Sequence, residues 1–186
     1  MPRFLVVPFV AVSKSVKPRL RLWSPTFAFE SSITATHFIS RLRDGAPKND
    51  NFNRLSNLHL IDDAWMASRG LTLYHLAACS DMLISDVSSV IIDYLLLDQP
   101  VICFSSDFEE YKKTRGFYFD NMEDWLPGRL ICNQTDFFNY LKLLLTTGKD
   151  PDEQKRMKLK DAFFTFKDAK STERLIKHVF NENTWN

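Results

Sequence analysis

Ile84-Ser-Asp-Val-Ser-Ser-Val-Ile-Ile-Asp-Tyr94 decides how this chain is read. Its first residue closes the apolar run Asp81-Met-Leu-Ile84, which has the length of a buried strand. Small hydroxyl residues then break the run, and Val90, Ile91, Tyr94 and Leu97 follow at helical spacing. A helix opening at Ser89 leaves its first backbone N–H groups without intrahelical partners, at the positive end of the macrodipole and beside two hydroxyls. Phosphate binds well in such surroundings, so the stretch points to a phosphorylated or nucleotide ligand.

Strands and helices alternate on both sides of it. Asn57 to Ile61, Val101 to Phe104 and Arg129 to Cys132 read as strands. Leu71 to Cys79, Ser89 to Leu97 and Thr135 to Leu145 read as helices, the last stopped by Gly148. The charged segment from Pro151 is expected to be helical to about Phe180. This alternation predicts an α/β fold with a parallel sheet covered on both faces. Leu20 to Phe27 reads as a further strand entering a turn at Ser24-Pro25-Thr26. Residues 28–56 are turn-rich, and only Thr36 to Leu42 has the material for a short helix.

At 186 residues the chain is long enough for one domain with a real core. A net charge of +1 argues against nucleic acid or an acidic polymer as partner. Cys79, Cys103 and Cys132 are odd in number, widely spaced and sit in apolar runs, and they read as buried cytosolic thiols rather than as a disulfide scaffold or zinc site. His37, His59, His75 and His178 show no metal-ligand spacing; His59 and His75 read as structural. Phe4 to Val12 is a nine-residue apolar run containing Pro8. That is far short of the ~20 residues that span a bilayer. Lys14 to Arg21 is a basic linker that suits anionic head groups or, more plainly, solvent. The expected organisation is a tail and linker over 1–19, one domain over 20–181 and a short tail over 182–186.

In open parallel sheets ligands bind beyond the carboxyl ends of strands. Ser88 and Ser89 meet that condition, as do Pro25 and Thr26. Asp93 lies one helical turn after Ser89, where a carboxylate can hold a ribose or substrate hydroxyl. Arg115 is a candidate to grip a phosphate. Each also has a plainer reading: helix cap, ordinary turn, exposed helical acid, surface arginine. No Ser-His-Asp or Cys-His arrangement, glycine-rich phosphate loop or metal set is discernible. No catalytic base, metal or cofactor is therefore assigned.

The set formed by Ser85-Asp86-Val87-Ser88-Ser89 with Asp93-Tyr94, Pro100 to Phe104, Asp107-Phe-Glu-Glu-Tyr111, Arg115 to Asp120 and Pro127-Gly128 resembles, in order and spacing, the CDP-glycerol glycerophosphotransferase family of teichoic-acid and capsule polymerases. The resemblance runs from about Asn57 to Phe180, and Trp23-Ser-Pro-Thr-Phe27 extends it. It implies a Rossmann-like domain, the C-terminal donor-binding half of a GT-B fold. It also implies that Pro25, Thr26, Ser88, Ser89 and Asp93 occupy positions that contact CDP-glycerol or a related CDP-polyol. The implied reaction is attack by a hydroxyl of a polymer or lipid-linked acceptor on the β-phosphorus of the donor, with release of CMP.

The sequence also departs from the family. Ala28 stands where the family has an arginine after Pro-Thr-Phe, and no His is followed by Pro. The interval 28–56 looks like an internal deletion, and an N-terminal GT-B half would have to come from elsewhere. These departures keep a non-catalytic nucleotide-binding module open as the alternative. Another GT-B glycosyltransferase or a sugar-nucleotide epimerase is a further one. The expected location is the cytoplasm, extending to the inner face of the cytoplasmic membrane where such polymers are built.

Overall fold

The structure, a computed structural model, describes residues 10–13, 37–41 and 58–180. Six strands form one sheet in the order β3-β2-β1-β4-β5-β6: β1 Val10–Ser13, β2 His37–Arg41, β3 Leu58–Ile61, β4 Met82–Ser85, β5 Val101–Phe104 and β6 Arg129–Ile131. β4, β5 and β6 are parallel neighbours, with Ser85 beside Cys103 and Phe104 beside Ile131. β2 and β3 are parallel as well, while β1 runs antiparallel to both β2 and β4. Five strands thus share one direction, and their carboxyl ends form one edge of the sheet.

The α/β expectation holds, and the strands after residue 57 lie where the apolar runs placed them. β4 is buried along its whole length, as a strand covered on both faces must be. One face carries Ile39, Leu83, Val101 and Cys103 against Leu76, Ala77, Val90, Ile91 and Tyr94 of α2 (Leu73–Ala78) and α3 (Val90–Tyr94). The opposite face carries Met82, Ile84, Ile102 and Ile131 against Tyr140, Leu141 and Leu144 of α5 (Gln134–Thr147). Side chains alternate across a strand, so each strand serves both layers.

The structure corrects several expectations. Of the three cysteines read as buried, Cys103 is, in β5, while Cys79 and Cys132 lie just past α2 and β6 and are exposed. Val10–Ser13, read as part of a tail over 1–19, is the antiparallel strand between β2 and β4, where its ladder groups find partners on both sides. Thr36 to Leu42, read as a short helix, contains β2 instead. Phe38 and Ile39 there face opposite layers, a period of two that long-range pairing with β1 and β3 imposes. A strand therefore lies inside the interval that was read as a deletion.

The helical stretch after Pro151 is two helices, α6 (Glu153–Phe163) and α7 (Ser171–Val179). Between them Ala169 adopts φ +57°. The Asp168 carboxylate accepts from the Lys170 N–H and from both terminal nitrogens of Arg174, which ends one helix and seeds the next. Two short helices were not read from the sequence. α1 (Asp63–Ala67) is capped by Asp62, whose Oδ1 accepts from the Trp65 N–H at 2.8 Å. α4 (Phe108–Thr114) follows β5. Gly148 does end α5, at φ +65°. The strand expected over residues 20–27, with Pro25 and Thr26, lies outside the described residues.

Candidate functional site

The carboxyl edge of β4 delivers Asp86, Val87, Ser88 and Ser89 into the turn before α3. The Ser88 N–H donates to the Asp86 carbonyl at 2.9 Å, closing the turn tightly. Ile91 and Ile92 donate to the carbonyls of Ser88 and Ser89, so the amides of Ser89 and Val90 precede the helical ladder. Ser89 occupies the N-cap position in a helical conformation, and its hydroxyl makes no capping hydrogen bond. A capping serine normally has extended backbone and accepts from an amide one turn on. The plain reading of Ser89 as a cap therefore does not describe this turn. Ser88 is half-buried and Ser89 exposed, both within reach of a ligand at the sheet edge.

Asp93 is exposed on α3, one turn from Ser89. Its Oδ2 accepts a 2.9 Å hydrogen bond from the Tyr74 hydroxyl of α2. That bond, together with the charge it meets, raises the Tyr74 phenol above its ordinary range. The structure thus adds Tyr74 to the candidate set. Nothing in the local sequence signals the pairing, because the two residues are 19 positions apart.

The helices carrying this pair are docked by a buried contact. The hydroxyls of Ser80, just past α2, and Tyr94 on α3 share a 2.8 Å hydrogen bond. Burial, the dominant cause, pushes the Tyr94 phenol up to about 12.

The next loop along the edge, after β5, holds Ser105 and Asp107, whose side chains hydrogen-bond at 2.9 Å. This second hydroxyl–carboxylate loop was not singled out from the sequence as a site. Its sequence signals are its place after an apolar strand and Asp107, which opens the acidic-aromatic stretch of the motif set.

Arg115 is carried by a different element, at the C-terminal end of α4. Its guanidinium sits 5.7 Å from the centre of the Tyr111 ring. Gly116 follows it at φ +71°, a conformation glycine accepts without strain. No hydrogen bond or ion pair joins Arg115 to Ser88, Ser89 or Asp93 among the described residues. Ser88, Ser89 and Asp93 thus fall on one turn and its helix, Arg115 falls at the end of α4, and Pro25 and Thr26 lie outside the described residues.

The apolar residues in the remainder of the motif set are mostly packing, while Tyr118 and Asp120 are exposed. Phe117 stacks on both Phe108 and Tyr111, and Phe119 stacks on Trp125 at 4.2 Å. Leu126, Pro127 and Gly128 are buried. A Cβ built on Gly128 would stand 1.8 Å from the Val101 carbonyl oxygen, so the chain passes β5 at a distance only glycine permits. Of the histidines, His59 is buried in β3. His75 takes the Thr72 N–H on Nδ1 at 3.0 Å, closing the start of α2. Among the described residues no group of three or more His, Cys, Asp and Glu is arranged to hold a metal.

Comparison with known proteins places the chain. It is 33% identical over 101 residues to the teichoic acid ribitol-phosphate polymerase TarK of Staphylococcus aureus, covering 54% of this chain and 18% of that protein. It is 40% identical over 115 residues to the teichoic acid poly(glycerol phosphate) polymerase of Staphylococcus epidermidis, covering 61% of this chain and 13% of that one. Among solved structures, the wall teichoic acid polymerase TagF matches at 31% identity and a TM-score of 0.46, covering 67% of this chain and 29% of that one. The chain thus spans a small part of the curated relatives' length, 18% of the first and 13% of the second. The family described as CDP-Glycerol:Poly(glycerophosphate) glycerophosphotransferase matches over residues 38–181, and the chain belongs to that family.

Proposed function

We propose that this chain is the donor-binding half of a GT-B glycerophosphotransferase that holds CDP-glycerol, or a related CDP-polyol, for transfer to a teichoic-acid or capsule-like polymer. The observation that carries the reading is the turn after β4. There, two serine residues stand at a sheet edge where nucleotides bind, the Ser89 hydroxyl uncommitted to capping, with a carboxylate one turn further on. Ser88, Ser89 and the amides at the start of α3 would hold the pyrophosphate. Asp93 would accept from a ribose or polyol hydroxyl. Pro25, Thr26 and Arg115 remain part of the proposed donor site, Arg115 as a second phosphate contact. An acceptor hydroxyl would attack the β-phosphorus, forming one P–O bond as the bond to CMP breaks. Positioning and charge neutralisation dominate such transfers.

No described helix is long and apolar enough to cross a membrane. The proposed setting is the cytoplasm, with contact at the inner membrane face made through a lipid-linked acceptor. A second chain or segment would supply the other GT-B half.

Ala28, in place of the arginine, and the lack of a His-Pro pair favour a second reading, in which the chain binds nucleotide without performing transfer. Calorimetric titration with CDP-glycerol, CMP and UDP-GlcNAc tests the first step. Binding of the cytidine ligands alone, lost on Ser88→Ala/Ser89→Ala/Asp93→Ala, supports the donor site. No binding by a folded chain refutes it, and preference for UDP-GlcNAc points to another GT-B transferase or an epimerase. Glycerol-phosphate transfer by the chain alone would exclude the second reading.

A further inference from the structure

We infer that Tyr74 is a positioning residue for the donor site, acting through Asp93; this rests on the donor-binding reading above. Tyr74 is 61% exposed, yet its hydroxyl is spent on Asp93 Oδ2 at 2.9 Å rather than left to solvent. One explanation is that the bond clamps α2 to α3. The structure already supplies that clamp in buried form. Leu76, Ala77, Val90, Ile91 and Tyr94 pack in one cluster, and the Ser80–Tyr94 hydroxyl bond ties the helices internally. An exposed hydrogen bond adds little to a docking that burial has secured.

What the bond does change is Asp93. An exposed aspartate on a helix samples several rotamers, and holding one oxygen selects among them. With Oδ2 occupied by a phenol whose helix is fixed by Leu76 and Ala77, Oδ1 is left in a defined direction for a hydroxyl of the ligand. The phenol donates to Oδ2, which leaves Oδ1 as the acceptor for a sugar or polyol hydroxyl. Preorganisation of this kind lowers the ordering cost of binding and contributes affinity without touching the ligand.

The test is a double-mutant cycle on the full chain, titrating wild type, Tyr74→Phe, Asp93→Asn and the double variant with CDP-glycerol, with circular dichroism and melting midpoint as fold controls. The expected result is about fivefold weaker binding for Tyr74→Phe in the wild-type background, the size of one modest hydrogen bond. No further loss should appear when Asp93→Asn is already present, and the melting midpoint should stay unchanged. Equal losses in both backgrounds would show that Tyr74 acts independently of Asp93. A loss that tracks a lowered melting midpoint would make it a structural clamp. Full affinity in Tyr74→Phe, beside a weakened Asp93→Asn, would remove the positioning role while keeping the donor site. No binding by wild type would overturn the donor-site reading and this inference together.

Discussion

Two stretches of the motif set, Ser85 to Ser89 and Phe117 to Gly128, are equally distinctive in sequence and fare differently in the fold. The first lies at the carboxyl edge of the sheet, with the Ser89 hydroxyl making no capping bond and a carboxylate oriented nearby by Tyr74. The second has its apolar residues folded into an aromatic stack and a close backbone crossing, with Leu126 and Pro127 buried and Gly128 against Val101, while Tyr118 and Asp120 face out. A motif that identifies a family need not be a binding motif. Which it is depends on where the fold places its residues, at the carboxyl edge of the sheet or in the packing between elements.

The largest effect should come from the packed side. Gly128→Ala drives a methyl into a backbone carbonyl that cannot rotate away, and we expect a loss on the order of 3 kcal/mol in a urea melt. A loss below about 1 kcal/mol would mean that the crossing relaxes, and that Pro127-Gly128 is not the rigid element described here.

The open side should behave in the opposite way. Ser88→Ala/Ser89→Ala should change stability by no more than about 0.5 kcal/mol, the usual range for surface sites. The same variant should weaken CDP-glycerol binding about a hundredfold through two lost hydrogen bonds to charged oxygens. Strong destabilisation with binding retained would reverse the assignment.

Alkaline pH offers a third test, directed at buried groups around the two stretches. Burial pushes the Cys103 thiol up to about 12, with a smaller opposing effect from the Gly128 backbone, and burial likewise raises Tyr94 to about 12. Tyr140 is raised as well, first by burial and then by its bond to Asp152. These groups stay protonated in the native chain at pH values where the unfolded chain releases their protons. Their stabilising effect is therefore complete below pH 9 and is lost as pH rises toward 12. Each group should contribute a slope of about 1.4 kcal/mol per pH unit inside its window. Urea midpoints between pH 8 and 10.5 should fall, and Cys103→Ala should make the fall shallower; an unchanged slope would show that the thiol is not shielded as described.

The smallest effect concerns Arg115, whose exposed guanidinium rests near Tyr111. If it grips a phosphate, Arg115→Ala should weaken CDP-glycerol binding about tenfold with little change in melting midpoint. Unchanged binding would move it to the packed side of the comparison.

The strands after residue 57 were legible because each is a short apolar run bounded by turn residues, and burial on both faces demands that composition. The turn at Ser88-Ser89 was legible because a helix start needs small polar residues whether or not it binds anything. β1 and β2 were not legible. Val10–Ser13 has nothing local to mark it as an inner antiparallel strand, and His37–Arg41 carries a pattern short enough to suit either state. The break between α6 and α7 depends on Asp168 reaching Arg174, a contact that spacing alone does not announce.

By itself, the sequence determined the family, the α/β class and the place of the serine turn, all of which follow from residue order and local periodicity. Only the tertiary structure decided that Ser89 is not a cap, that Tyr74 holds Asp93, and that Gly128 is confined by Val101. Each of these depends on a distance between groups that the chain brings together only after the sheet has formed, and on which of their polar atoms are then already taken.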